Sequence, residues 1–207
     1  MRFLQSVVTA TVTAALLGPA PVHDTPTCLG EKATIIGTEG DDRINGTSGD
    51  DVIVGLGGLD TVNAADGDDL VCGGESVLRL DADGYPREQS LYGGDGDDHL
   101  VGGDGRDLLL GGEGEDVLRG ADGRDRLYDG DVETNGTDRL YGGSEADALY
   151  GGRGPDVLRG GSQADLVTGG PGDDVLVDPG VDDILRGGPG DDTCSQPGPG
   201  RAEGCEE

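Results

Sequence analysis

Residues 93–120 read GGDGDDHLVGGDGRDLLLGGEGEDVLRG. A glycine pair opens at 93, 102 and 111, an aspartate stands five places after each opening, and a leucine follows two places later. The period is nine. A helix repeats about every 3.6 residues and a strand about every two, so neither calls for such a unit. A solenoid that stacks one short structural unit on the next does call for one.

Outward from this stretch, units start at 37, 46, 55 and 64, then at 73 with an insertion. They resume at 93, 102, 111 and 120, then at 129 with a shorter insertion, and run on from 142, 151, 160, 169, 178 and 187. These sixteen units span residues 37–195. The sixth place is aspartate in fifteen of them: Asp42, Asp51, Asp60, Asp69, Asp98, Asp107, Asp116, Asp125, Asp138, Asp147, Asp156, Asp165, Asp174, Asp183 and Asp192. The eighth place is apolar in fifteen, as at Ile44, Leu100, Leu118 and Leu176, and is Cys194 in the last.

Composition alone points away from a packed globule. Among 207 residues there are 43 Gly, 10 Pro, one Phe and no Trp, with a net charge of −29. Few apolar side chains and high net charge are the composition of a disordered chain, but disorder has no need of register. One apolar residue in nine cannot bury a face alone, so units must stack with their eighth-place side chains in a continuous column. The triplet around the eighth place reads out–in–out, a very short strand, and the glycine-rich residues before it form a turn. Two units then make one coil of eighteen residues. The expected fold is all-β, with two parallel sheets whose apolar columns face each other across about eight turns.

Such stacking sets the aspartates about 4.8 Å apart in ladders along both edges. Like charges that close repel and resist burial. A hard cation between successive turns resolves the conflict. Carboxylate and carbonyl oxygens suit Ca²⁺, whereas Mg²⁺ prefers a smaller octahedron and keeps its water. The residues therefore call for calcium, in several copies. Seven gaps on each edge leave room for about fourteen ions, and about ten to twelve would offset most of the −29 charge.

The unit resembles the nonapeptide G-G-x-G-x-D-x-U-x of the RTX, or hemolysin-type, calcium-binding repeats. The resemblance covers about three quarters of the chain. It implies a parallel β-roll, a right-handed β-solenoid, with Ca²⁺ held between turns by the fifteen sixth-place aspartates and by turn carbonyls. It also has departures. The unit from Gly73 to Tyr92 lacks the aspartate and carries SVLRLDADGYPREQS as an exposed loop, VETN interrupts the tenth unit at 132–135, and Thr38, Thr47, Leu56 and Ala65 replace the second glycine. Affinity is therefore expected to vary, and to be highest over 93–128 and 151–177.

The domain reading is a signal peptide over 1–22, with the cleavage point open, and a linker or N-terminal cap over 23–36. The roll follows over 37–195, with insertions near 76–90 and 132–135, and a C-terminal cap or tail over 196–207. The apolar run from Phe3 to Leu17 is shorter than the roughly 20 residues a membrane span needs. Four cysteines fit an exported, oxidised chain and allow three pairings. Cys28–Cys72 and Cys194–Cys205 are the expected pair of bridges, each closing one open end of the solenoid.

No catalytic constellation emerges. His23 lies in the linker and His99 at an outward seventh place, and no G-x-S-x-G or H-E-x-x-H occurs. The acidic charge excludes nucleic acid as a partner. The expected function is calcium binding by a secreted, extracellular, non-enzymatic monomer that does not insert into membranes and whose folding is coupled to calcium. The alternative is an adhesion or polymer-binding module with structural calcium. Tyr92, Tyr128 and Tyr150 would then face outward from one sheet as a platform for a carbohydrate or cell-surface polymer.

Overall fold

A computed structural model describes residues 25–75, 88–130 and 136–206. The expected signal peptide, most of the first insertion with Tyr85, and all of the second lie outside the described residues. No helix occurs among those described, and none is long and apolar enough to cross a membrane.

Two nine-stranded sheets run the length of the molecule, and every neighbouring pair within them is parallel. One sheet holds, in order, Ile35–Ile36, Val52–Gly57, Leu70–Glu75, His99–Asp104, Val117–Asp122, Arg139–Ser144, Val157–Gly161, Val175–Val177 and Thr193–Ser195. The other holds Arg43–Asn45, Thr61–Asp66, Gln89–Asp95, Asp107–Glu113, Arg126–Tyr128, Ala148–Tyr150, Leu166–Thr168, Asp183–Arg186 and Gly200–Glu203. Successive units alternate between the sheets, so each strand pairs with the one two units on. The molecule is the stacked β-solenoid of eighteen-residue coils that the period calls for.

Register follows from the eighth place. Leu100 pairs with Leu118, Leu118 with Leu140 and Leu140 with Leu158. On the facing sheet Leu91, Leu109, Leu127 and Leu149 align in the same way. All eight are fully buried and belong to one core cluster. A one-residue slip would turn each column out to water, which is what fixes the register. The insertions do not disturb it. Leu70 pairs with His99, twenty-nine residues on, and Val117 with Arg139, twenty-two on.

The strands exceed the expected triplets in the middle of the roll. Asp107–Glu113 runs from the sixth place of one unit to the third of the next, and Gly112 pairs with Gly94 inside the turn. Stacked turns of identical shape continue the ladder around the corner. The glycines permit that closeness. At Gly123, with φ +131°, a Cβ would lie 1.5 Å from the Gly105 carbonyl oxygen.

Both ends are finished by extra elements. Thr27–Cys28 and Glu31–Lys32 form an antiparallel hairpin, and Cys28 is bonded to Cys72 with Cα atoms 5.6 Å apart. Cys194 is bonded to Cys205, with Cα atoms 5.7 Å apart. The expected disulfides are both present. The ladder also extends beyond the sixteen units, since Ile35–Ile36 pairs with Ile53–Val54 and Gly200–Glu203 pairs with Asp183–Arg186.

With one apolar side chain per unit, each column position matters. Leu118→Ala should cost about 2–5 kcal/mol, the range for an unrelaxed core cavity. Denaturant unfolding of the calcium-loaded protein measures it. A loss below about 1 kcal/mol would mean that the column collapses around the cavity.

Candidate cation slots along the coil edges

Each sixth-place aspartate sits where the chain leaves the turn, immediately before its strand or, for Asp107 and Asp183, as the strand's first residue. Fourteen of the fifteen are buried, and Asp42, in the first unit, is half-buried. The carboxylates are therefore folded into the corners of the coils, where sequence reasoning placed only a charged edge.

Their backbone hydrogen bonds form a chain along each edge, continuous from Asp51 to Asp192 on one and broken at the fifth unit on the other. Asp98 N donates to Asp116 Oδ1 at 2.8 Å, Asp116 N to Asp138 Oδ1 at 2.6 Å and Asp138 N to Asp156 Oδ1 at 3.0 Å. On the opposite edge Asp107 N donates to Asp125 Oδ1 at 2.9 Å, Asp125 N to Asp147 Oδ1 at 2.8 Å and Asp147 N to Asp165 Oδ1 at 2.8 Å. Each link spans one coil. Asp42, Asp51, Asp60, Asp69, Asp174, Asp183 and Asp192 take part in the same way.

The second carboxylate oxygen is in a different situation. In Asp60, Asp69, Asp98, Asp107, Asp125, Asp147, Asp156, Asp165, Asp174, Asp183 and Asp192, Oδ2 is buried and no donor among the described residues reaches it. In Asp60, Asp98, Asp107, Asp125, Asp147, Asp156, Asp174 and Asp192 it faces the first-place glycine of its own unit and a backbone carbonyl one coil on. A Cβ at Gly93 would lie 2.1 Å from Asp98 Oδ2 and 2.5 Å from the Gly111 oxygen. At Gly142 the matching distances are 2.4 Å to Asp147 Oδ2 and 2.5 Å to the Gly160 oxygen. Glycine at the first place thus leaves a small cradle whose nearest atoms are a carboxylate oxygen and a carbonyl oxygen.

Burial is the main reason these carboxyls titrate high, and neighbouring carboxylates push the same way. Asp98, Asp107, Asp147 and Asp156 are pushed up to about 8, and Asp125 and Asp165 to about 7. Asp60, Asp69 and Asp174 reach about 6. The backbone hydrogen bond works against the rise in every case except Asp107.

Three departures from the repeat have structural consequences. At the start of the roll Asp42 Oδ2 accepts from Thr38 N at 2.6 Å and Thr38 Oγ1 at 2.8 Å, while Asp51 Oδ2 accepts from Thr47 N at 2.7 Å. Thr38 therefore satisfies Oδ2 with its hydroxyl and its backbone N–H, and Thr47 with its backbone N–H alone. In the fifth unit Gln89 stands at the sixth place, fully buried, at the start of its strand. Its Nε2 donates to the Gly102 oxygen at 3.2 Å, so an amide N–H meets the carbonyl that elsewhere faces a carboxylate. Gln89 N donates instead to the Arg106 oxygen, which interrupts the chain and leaves both Asp107 oxygens without a donor among the described residues. Finally, Asp129 and Asp178 replace glycine at the first place of their units and are fully buried. They join sixth-place aspartates in two three-carboxylate clusters, Asp116–Asp129–Asp138 and Asp165–Asp178–Asp183. A break in the first-place glycine column is the sequence signal that would have found them.

The donor set fits a hard cation. It consists of carboxylate and carbonyl oxygens, and a buried carboxylate oxygen with no donor is an acceptor suited to a metal. Imidazole and thiolate, which softer metals prefer, are absent from the slots among the described residues. His99 is exposed on the sheet surface. Tyr92, Tyr128 and Tyr150 lie on one sheet as expected and Tyr141 on the other, with the rings of Tyr128 and Tyr150 stacked at 4.8 Å.

One family description matches the chain, the RTX calcium-binding nonapeptide repeat, in four-copy blocks. The matched residues are 34–75, 92–128, 134–167, 141–176 and 182–195, about two thirds of the sequence. No curated protein matches it.

Proposed function

The chain belongs to the RTX calcium-binding nonapeptide repeat family, and from that premise we propose that it is a secreted calcium-binding protein that holds many Ca²⁺ ions between its turns and folds as it binds them. The family is a structural one, and we read this member as non-enzymatic. The observation that carries the proposal is the column of buried Oδ2 atoms with no donor among the described residues, most of them opposite a carbonyl of the next coil. Desolvating a carboxylate without a partner is costly, and a divalent ion shared between successive coils removes that cost at both. The ligands are the fifteen sixth-place aspartates together with first-place carbonyls. The slots at Asp42 and Asp51 should be the weaker ones, because threonine already satisfies Oδ2 there, and the Gln89 position should hold no ion.

Secretion is supported by two disulfides, which persist in oxidising compartments. Extracellular calcium modules typically work at about 10⁻⁴–10⁻³ M, so a chain of this kind would stay unfolded inside the cell and fold after export. A monomer with one N-terminal signal, one roll and two capped ends is the domain reading we propose. No observation favours a polymer-binding role over calcium binding, since the stacked Tyr128 and Tyr150 rings already cover one another.

Equilibrium dialysis against Ca²⁺ tests the reading. The protein should take up several ions, and Asp147→Asn should bind one or two fewer while keeping its β-sheet spectrum at saturating calcium. Uptake of no more calcium than an unrelated protein of equal charge would overturn the proposal.

A further inference from the structure

Asp178 opens the fifteenth unit, where the repeat would place glycine, and it is fully buried. Its Oδ1 accepts from Gly180 N at 3.0 Å and from Gly161 N at 3.4 Å, which fixes the carboxylate plane. Its Oδ2 has no donor among the described residues. That oxygen is aimed at the thirteenth-unit cradle, where a Cβ on Gly160 would lie 2.1 Å from Asp178 Oδ2 and 2.6 Å from Asp165 Oδ2.

The difference from the ordinary slots is one of charge. At Gly93, Gly142 and Gly169 the oxygen opposite the sixth-place carboxylate is a neutral carbonyl from the next coil. At Gly160 its place is taken by the carboxylate of Asp178. Asp183 completes the group, and one oxygen from each of Asp165, Asp178 and Asp183 lies within 4.8 Å of the others. All three residues are at least nine-tenths buried. In oxygen-ligand sites the affinity for calcium rises with the number of charged ligands and with the rigidity of the site. Here a third carboxylate is added and is held in place by two backbone N–H groups.

We propose that Asp165, Asp178 and Asp183 form a high-affinity Ca²⁺ site that fills at concentrations well below those needed by the two-carboxylate slots. This rests on the calcium reading of the slots. Asp178, which lies outside the nonapeptide's sixth-place column, is the residue that distinguishes the site. It gives the C-terminal third of the roll a site that retains an ion as calcium falls.

Titration of the full chain with Ca²⁺ against a competing chelator of known affinity tests this, using wild type, Asp178→Asn, Asp178→Gly and Asp174→Asn. The wild type should show a tight class at least about tenfold stronger than the rest. Asp178→Asn and Asp178→Gly should each lose one tight ion and leave the weaker class unchanged. Asp178→Gly restores the repeat's own residue, so it guards against a folding defect in the other variant. Asp174→Asn, in an ordinary slot, should lose weak binding and keep the tight ion. Curves for both Asp178 variants that superimpose on wild type would overturn the inference and leave calcium binding intact. No calcium uptake by the wild type would overturn the underlying reading with it.

Discussion

With calcium removed by EGTA at neutral pH, the far-UV circular dichroism of the protein should lose its β-sheet signal. The signal should return cooperatively as Ca²⁺ is restored, and Mg²⁺ at the same concentration should not restore it. The balance within one unit shows why. Burying an eighth-place leucine contributes about 1.5–3 kcal/mol. Two ionised carboxylates about 5 Å apart repel by about 3 kcal/mol at an effective dielectric constant near 20, and each sixth-place aspartate has such a neighbour on both sides along its column. Desolvation of Oδ2 adds to the deficit. The apolar columns therefore cannot hold the coils together while the aspartates are charged and unmatched, whereas a divalent ion in each slot turns that repulsion into attraction. Because the slots exist only when coils stack, binding and folding should be a single transition. Disulfides narrow the unfolded ensemble at both ends, through Cys28–Cys72 and Cys194–Cys205, but do nothing to the charge. A full β-sheet spectrum in EGTA at pH 7 would show that core and bridges suffice, and calcium would then be a ligand and not a folding switch.

The sixth and eighth columns made the fold legible because each constrains a different direction. Leu118 can be buried only if it lies over Leu100, which fixes the coil length, and Asp116 fixes where the turn ends. The cysteines were legible for the same reason, since end positions in a known stack leave few partners. What escaped the reading depends on side-chain direction within the turn. Nothing in the repeat says that the aspartate turns inward and accepts from the backbone N–H of the preceding coil. Thr38 and Thr47 read as lost glycines, yet both supply donors to the adjacent aspartate. Gln89 lay inside a segment read as an exposed loop, while the strand starts at Gln89 itself and its amide nitrogen answers the Gly102 carbonyl. Asp129 and Asp178 look like ordinary acidic residues in a chain of net charge −29. Only the stacked coils bring them against sixth-place aspartates two units away or in their own unit.

Acid should favour the calcium-free fold, opposite to the behaviour of most proteins. Burial, and then the neighbouring carboxylates, raises Asp98, Asp107, Asp147 and Asp156 to about 8 in the folded chain, and Asp125 and Asp165 to about 7. In the unfolded chain an aspartate titrates at about 3.9. Between those values the folded state binds more protons than the unfolded one, so stability increases as pH falls. The gain is complete below about pH 4 and is lost as pH rises through 7 to 8. A protonated carboxyl also has no charge to repel its neighbour and gives the cradle an O–H donor. In EGTA, then, the β-sheet signal should grow as pH is lowered from about 8 to about 5. Protons and calcium compete for the same oxygens, so the dependence on calcium runs the other way, and the concentration giving half-maximal folding should rise on acidification. Circular dichroism over that pH range, with EGTA and with graded calcium, reads both effects in one experiment. An EGTA sample less structured at the acid end would mean that the carboxylates are not desolvated as the stacked coils place them. A calcium midpoint that ignores pH would mean that the ions bind somewhere other than these oxygens.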